Sequence, residues 1–257
     1  MTSAPVSPGP VRAPDRRAAP AAGRRELPRA LLAELLGSAL LSAVVIGSGI
    51  AASTLSPDDV GLQLLENAAV TAVGLYALIL VFGPASGAHF NPVVSLVDAA
   101  LGDRPWRTCL AYVPVQVLGC MAGAVLANLM FDRDAVSVSR TSRDTGPHLL
   151  AEVVATAGLV LLVFTLTRTG RAERAPSAVG AYIGAAYFFT SSTSFANPAI
   201  SVGRTLSDTF AGIAPASVPP YVLAQLVGGV VGLLLVLALY DRADADGAVL
   251  PAEPAPV

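Results

Sequence analysis

Two copies of an Asn-Pro pair are the residues of this chain best suited to place polar groups inside apolar sequence. The two copies lie in SGAHFNPVVSL and STSFANPAISV and consist of Asn91, Pro92 and Val93, and of Asn197, Pro198 and Ala199. An Asn side-chain oxygen can accept hydrogen bonds from the free N–H groups at a helix start, and Pro suits the first helical position. Each copy therefore predicts the start of a short helix inside hydrophobic sequence.

The first of these helices is too short to cross a bilayer. It can extend from Asn91 to about Leu101, because Gly102 offers a C-terminal stop and Pro105 follows. About ten residues at about 1.5 Å each give roughly 15 Å, which is half of a hydrocarbon core of about 30 Å. Two such half-helices, entering from opposite faces, would meet near the midplane and together make one spanning element.

Composition indicates an integral membrane protein. Of the 257 residues, 54% are hydrophobic and 13% are charged, against about 25% charged in a soluble domain, and the mean hydropathy is +0.64. The net charge of −2, without a basic patch, gives no indication of a nucleic-acid partner. The sequence shows no Ser-His-acid set, metal-ligand cluster or phosphate loop, so it predicts no enzyme, metal site or cofactor. Cys109 and Cys120 are predicted to be small core residues.

Six apolar segments are predicted to span the membrane. Their approximate bounds are 29–52, 64–82, 106–131, 147–167, 176–192 and 218–240. Residues 1–26, rich in Pro, Ala and Arg, predict a disordered cytoplasmic tail, and residues 242–257 predict a short free tail.

The arginines predict the orientation of these segments. Arginines of the first tail, and of the loops before the third and fifth segments, favour a cytoplasmic location; they are Arg12, Arg16, Arg17, Arg24, Arg25, Arg29, Arg104, Arg107, Arg168, Arg171 and Arg174. The loop STLSPDDV has two acids and no base, whereas the loop 132–145 has a mixture of both signs. We expect both termini to be cytoplasmic.

The two halves of the chain repeat each other. Glu34 and Glu152 lie early in the first and fourth segments, and Gln116 with Gly119 in the third is matched by Gln225 with Gly228 in the sixth. The repeats cover about 27–131 and 147–241. Because each contains three spans, an odd number, the second must be inverted relative to the first, which is typical of channels and transporters with sites between the repeats.

The paired Asn-Pro motifs and these matched residues resemble the aquaporin, or major intrinsic protein, family over about residues 27–241. The resemblance implies an all-α membrane protein with six transmembrane helices, two re-entrant half-helices and an inverted repeat. It further implies a homotetramer with a pore in each subunit. The lipid bilayer and a small neutral solute would then be its partners.

The resemblance also assigns roles to residues of the two loops. It implies a ladder of carbonyl acceptors, with Asn91 and Asn197 as central donors; the ladder residues are Gly87, Ala88 and His89, and Thr193, Ser194 and Phe195. Glu34 and Glu152 are either functional acids at membrane depth or structural acceptors for loop N–H groups, and the resemblance favours the second. His89 is either a proton relay or ligand, or a packing residue whose carbonyl matters.

The narrow external constriction is where this chain departs from the family. Most members have Arg three residues after the second Asn, whereas this chain has Ile200. Spacing from the two Asn residues assigns the other constriction positions to Thr71, Ala185 and Ser194, so the constriction is expected to be wide and weakly polar. The nearby aromatic residues Tyr187, Phe188 and Phe189 are the candidates for narrowing it. Arg204 either guards the outer vestibule or pairs with Asp208 at the (i, i+4) position.

We therefore expect a passive channel for small neutral solutes, namely water and glycerol-like polyols. The segment after Asn197 resembles a bacterial subgroup linked to arsenic resistance, which adds uncharged arsenite and a location in the bacterial plasma (inner) membrane. The alternatives are an ion-coupled secondary transporter with inverted repeats, a strictly water-selective channel and a pore-closed scaffold.

Overall fold

Eight α-helices form the part of the chain that the computed structural model describes, residues 26–240, where no β-strand occurs. The helices are α1 (Glu26–Leu55), α2 (Val60–Ser86), α3 (Pro92–Leu101), α4 (Trp106–Met130), α5 (Gly146–Arg168), α6 (Ala175–Phe189), α7 (Pro198–Gly203) and α8 (Val218–Leu239). Short 3-10 turns occupy Ala172–Arg174, Arg204–Leu206 and Pro215–Ser217.

Five of these helices are long and apolar enough to cross a membrane, namely α1, α2, α4, α5 and α8 together with the 3-10 turn before it. The predicted fifth span is shorter than expected. It corresponds to α6, which has 15 residues and a length of about 22 Å. It ends at Phe189 rather than Ser192, because Thr190 already has an extended backbone.

The helices pack with the symmetry that the sequence repeat predicts. Helix α1 packs against α4 as α5 packs against α8, and each half-helix contacts both α4 and α8, one from its own repeat and one from the other. Glycines allow the helices of each long pair, α1 with α4 and α5 with α8, to approach closely. A Cβ atom on Gly119 or Gly123 would overlap the carbonyl oxygen of Leu35 or Ala39 in α1, and Gly228 and Gly232 make the matching approach to α5.

The cysteines and the first residue of α1 can be compared with the sequence-based predictions. Cys109 and Cys120 are free and buried, as predicted. Glu26, assigned to the first tail, is instead the first residue of α1. The predicted tails otherwise fall on residues 1–25 and 241–257, which lie outside the described residues.

Candidate functional site

The two half-helices begin at the predicted asparagines and point away from each other. The Asn91 side-chain oxygen accepts from Val93 N at 2.9 Å, and that of Asn197 accepts from Ala199 N at 2.9 Å. Each amide nitrogen then crosses to the other loop: Asn91 Nδ2 donates to the Ala196 carbonyl and Asn197 Nδ2 to the Phe90 carbonyl, both at 2.7 Å. These reciprocal bonds hold the two helix starts together.

The loops before the asparagines adopt an unusual backbone that is also repeated. Left-handed φ angles between +47° and +61° occur at five non-glycine residues, namely Ala88, Phe90, Thr193, Ser194 and Ala196. Such conformations cost about 1–3 kcal/mol each and persist only where the surroundings hold them. The loops therefore need external support.

Glu34 and Glu152 supply that support. The carboxyl group of Glu34 accepts from His89 N at 3.0 Å and Phe90 N at 2.7 Å. Glu152 accepts from Phe195 N at 2.9 Å and Ala196 N at 2.8 Å. This is the geometry of the structural alternative, since both side chains are fully buried and neither lies among the residues that line the cavity described below.

A second layer of polar residues holds the two carboxyl groups. Gln116 Nε2 donates to Glu34 at 2.8 Å and to Ser95 Oγ at 3.0 Å. Gln225 Nε2 donates to Glu152 at 2.6 Å and to Ser201 Oγ at 3.0 Å. The sequence repeat matched the two glutamines but did not find the serines. Their signal was present, because each serine follows its Asn by four residues and therefore lies on the same helix face.

A cavity of about 650 Å³ lies between the two repeats. Helices α4 and α8 contribute no residue to its lining and instead hold the loops from behind. Predicted site residues that line the cavity are Thr71, Gly87, Ala88, His89, Asn91, Ser194, Phe195, Asn197, Ile200 and Arg204.

Several predicted site residues lie elsewhere. Pro92, Val93, Pro198 and Ala199 are buried behind the asparagines and do not line the cavity, because they form the first turns of the half-helices and pack into the core. Thr193 does not line it either. These residues shape the loops rather than the path.

The assignment of Ala185 to the constriction was wrong. Ala185 is exposed on the outer side of α6, whereas the helix face toward the cavity carries Pro176, Val179, Ile183 and Tyr187. Tyr187 is buried, and its hydroxyl lies 3.2 Å from the Thr71 Oγ1 atom. Phe188 and Phe189, which were considered as further narrowing residues, are exposed. The i, i+3, i+4 spacing of Pro176, Val179, Ile183 and Tyr187 was the signal that distinguishes Tyr187 from its two aromatic neighbours.

The alternative that pairs Arg204 with Asp208 was also wrong. Asp208 instead forms an ion pair with Arg140, with 3.5 Å between Nε and Oδ2, because the 3-10 turn ends at Leu206 and the chain is extended at Ser207. Arg204 is buried, and its guanidinium lies over the Phe195 ring, 3.4 Å from Cζ to the ring centroid. The constriction region therefore contains an aromatic ring and a cation that its predicted composition lacked.

A second arginine approaches Phe195 from the loop before α5. The Cζ atom of Arg143 lies 5.4 Å from the ring centroid, and its guanidinium donates to the carbonyl oxygens of Gly212 at 2.9 Å and Phe210 at 3.2 Å. Burial lowers the pKa of Arg143 from its ordinary value. Two arginines therefore contact the Phe195 ring near this end of the cavity, and Arg204 is the one that lines it.

The opposite end of the cavity has a charge cluster that sequence reasoning missed. Asp98 Oδ2 lies 3.1 Å from Arg104 Nε and 3.3 Å from His89 Nε2. His89 Nδ1 also lies 2.9 Å from Ser95 Oγ, and Arg104 donates to the Tyr112 hydroxyl at 3.0 Å. His89 thus has partners on both ring nitrogens, as its packing alternative requires.

No group of His, Cys, Asp and Glu within residues 26–240 is arranged to hold a metal ion.

The fold and the site define a class of protein, a polytopic helical membrane channel. Its two halves are inverted relative to each other, its two half-helices meet at their starts, and a cavity lies between the halves.

Comparisons with known proteins agree with that class. The sequence profile described as "Major intrinsic protein" matches residues 22–204. Aquaglyceroporin AqpS of Rhizobium meliloti is 48% identical over 219 residues, which cover 85% of this chain and 93% of that protein. Aquaporin NIP1-1 of Zea mays is 32% identical over 212 residues, covering 79% and 71% of the two chains. The chain therefore belongs to the major intrinsic protein family, whose members are membrane channels and not enzymes.

A solved structure confirms the fold. The X-ray structure of the aquaglyceroporin from Plasmodium falciparum matches with a TM-score of 0.63 and 19% identity, over 82% of this chain and 95% of that chain. The protein is accordingly an all-α, multi-pass membrane protein with an aquaporin-like fold.

Proposed function

We propose that this protein is a passive channel through which water and glycerol-like uncharged solutes cross the membrane. The observation that carries the proposal is the cavity between the repeats, which contains the Asn91 and Asn197 side chains. Each amide nitrogen has two N–H donors and uses one on the opposite loop. The second has no partner among residues 26–240 and can donate to a solute oxygen as it passes.

The same cavity argues against the ion-coupled transporter. Coupling normally uses an acidic group within the pathway, and the intramembrane acids Glu34 and Glu152 hold the loops instead. The acids that line the cavity, Asp98, Asp103 and Glu173, come after the apolar half of α3 or in the turn before α6. They lie toward one end of the path and not at its centre.

A strictly water-selective channel is the second candidate, and one observation favours it. Tyr187 and Arg204 both line the cavity and bring bulk to a region that was expected to be wide. The relatives named aquaglyceroporins support glycerol instead. Uncharged arsenite, a compact molecule with three hydroxyl groups, stays a prediction for the same path.

Transport by purified protein in liposomes would test the proposal. We expect stopped-flow measurements to show water and glycerol fluxes above those of empty vesicles and unaffected by an ion gradient. Water flux without glycerol flux would favour the second candidate, and dependence on an ion gradient would favour the transporter. Arsenite uptake can be measured in the same vesicles.

Variants of the asparagines would connect the flux to the cavity. Asn91→Leu and Asn197→Leu remove a donor and a cap together, so flux per inserted molecule should fall. Asn67→Leu is the matched control, because Asn67 is equally buried but donates to Val45 O and Ser48 Oγ and does not line the cavity. Undiminished flux in both cavity variants would refute the assigned path.

The orientation, assembly and location belong to the same proposal. The arginine distribution supports cytoplasmic termini, the family supports a homotetramer, and the bacterial relative AqpS supports the plasma membrane of a bacterium. Labelling of introduced cysteines and the mass of the detergent-solubilised particle would test these points.

A further inference from the structure

Arg204 is a buried cation without a carboxylate partner. It is 2% exposed, and none of the ion pairs within residues 26–240 includes it. Its Nε atom donates to the carbonyl oxygen of Ala211. A guanidinium has five N–H donors, so the four on its terminal nitrogens have no partner among the described residues. A buried charge in this situation is unfavourable unless something else pairs with it.

The surroundings of Arg204 orient these donors toward the cavity. Phe195 covers one face of the guanidinium at 3.4 Å, and the Ala211 carbonyl occupies the Nε side. Arg204 and Phe195 both line the cavity. The terminal nitrogens are therefore the part of the side chain that is free to meet a molecule inside it.

The position of Arg204 one turn beyond Ile200 suits this placement. Side chains of a helix project back toward its N-terminus, which here means toward Ile200 and Asn197. The backbone is held in place by Gly203, where an added Cβ would lie 2.7 Å from the Cys120 carbonyl oxygen. An arginine is long enough to reach back by one turn, about 5.4 Å.

The other residues that line the cavity near Arg204 provide both polar and apolar surface. Tyr187 lines the cavity together with Arg204 and shares a hydrogen-bond contact with Thr71. The Ser194 hydroxyl is buried without a partner, and Ile200 supplies an apolar surface. Such a surface suits a small neutral molecule that has hydroxyl groups on one side and C–H groups on the other.

We propose that Arg204, and not the residue at position 200, is the charged selectivity residue of the external constriction. Its terminal nitrogens donate to the oxygen atoms of uncharged hydroxylated solutes, and its charge excludes monovalent cations. This inference rests on the proposed channel function, because a solute has to pass this point.

Cation leakage through the Arg204 variants would test the proposal. Arg204→Leu and Arg204→Gln remove the charge, and ammonium permeation in proteoliposomes should rise by about tenfold or more, since about 1.4 kcal/mol of barrier corresponds to tenfold in rate. Arg140→Ala is the matched control. Its side chain is 91% exposed on the same side of the molecule and does not line the cavity, so ammonium permeation should stay at the wild-type level.

Two outcomes would overturn the inference: no rise in either Arg204 variant that reaches the membrane, or an equal rise in Arg140→Ala. If both variants fail to insert into the membrane, the Arg204→Lys variant tests the inference instead. It keeps the charge but loses the planar set of donors, so cations should remain excluded while the ratio of glycerol to water flux changes at least about twofold. An unchanged ratio would refute the role of Arg204. Failure of the channel proposal is seen separately, as wild-type water and glycerol fluxes equal to those of empty vesicles.

Discussion

The support that Glu152 gives to its loop predicts a graded loss of stability and flux on substitution. Its carboxyl group accepts from two backbone N–H groups and from Gln225. In Glu152→Gln one oxygen becomes an amide NH2, which cannot accept. At least one of the three donors then loses its partner, at a cost of about 1–3 kcal/mol for a buried group.

Glu152→Leu removes all three acceptor contacts and leaves both loop N–H groups unsatisfied. Two such groups cost about 2–6 kcal/mol, and the left-handed conformations of Thr193, Ser194 and Ala196 then lose the contact that holds them. We expect the loop to relax, so that Asn197 no longer faces Asn91 and flux falls further than in Glu152→Gln.

Two measurements would test whether Glu152→Leu loses more stability and flux than Glu152→Gln. They are thermal unfolding in detergent and stopped-flow water flux normalised to inserted protein. Glu66→Gln is the control, because Glu66 accepts a single bond from Ser56 Oγ at 2.8 Å and does not line the cavity. The reasoning is refuted if Glu152→Leu matches the wild type in both measurements, or if Glu66→Gln is as damaging.

Three further predictions concern topology and the constriction. A cysteine at the exposed Ser142 should react with an impermeant reagent from outside whereas one at the exposed Ala172 should not; the reverse pattern would contradict the assigned orientation. Tyr187→Ala removes a ring from the cavity and should raise glycerol flux relative to water flux, whereas Ala185→Leu, on the outer face of α6, should leave the ratio unchanged. Ile200→Arg adds a second long cation beside Arg204 and should reduce glycerol flux more than water flux, and proportional losses in both fluxes would mean that position 200 does not select.

The sequence alone was enough to predict the repeat and the helix starts. These features depend on local chemistry or on internal repetition. An Asn before a Pro favours a helix start through the chemistry of these two residues alone. The Gln116 and Gln225 pair likewise indicated that the halves correspond before any contact was known.

Only the tertiary structure decided which residues face the path. Whether Ala185 or Tyr187 enters the cavity depends on how α6 is rotated against α2, and spacing counted from Asn197 crosses an irregular loop that carries no fixed rotation. Arg204 turns away from Asp208 because the turn after α7 ends early and Phe195, from the preceding loop, offers its ring. These contacts join segments that are distant in sequence or separated by irregular backbone, so local patterns could not determine them.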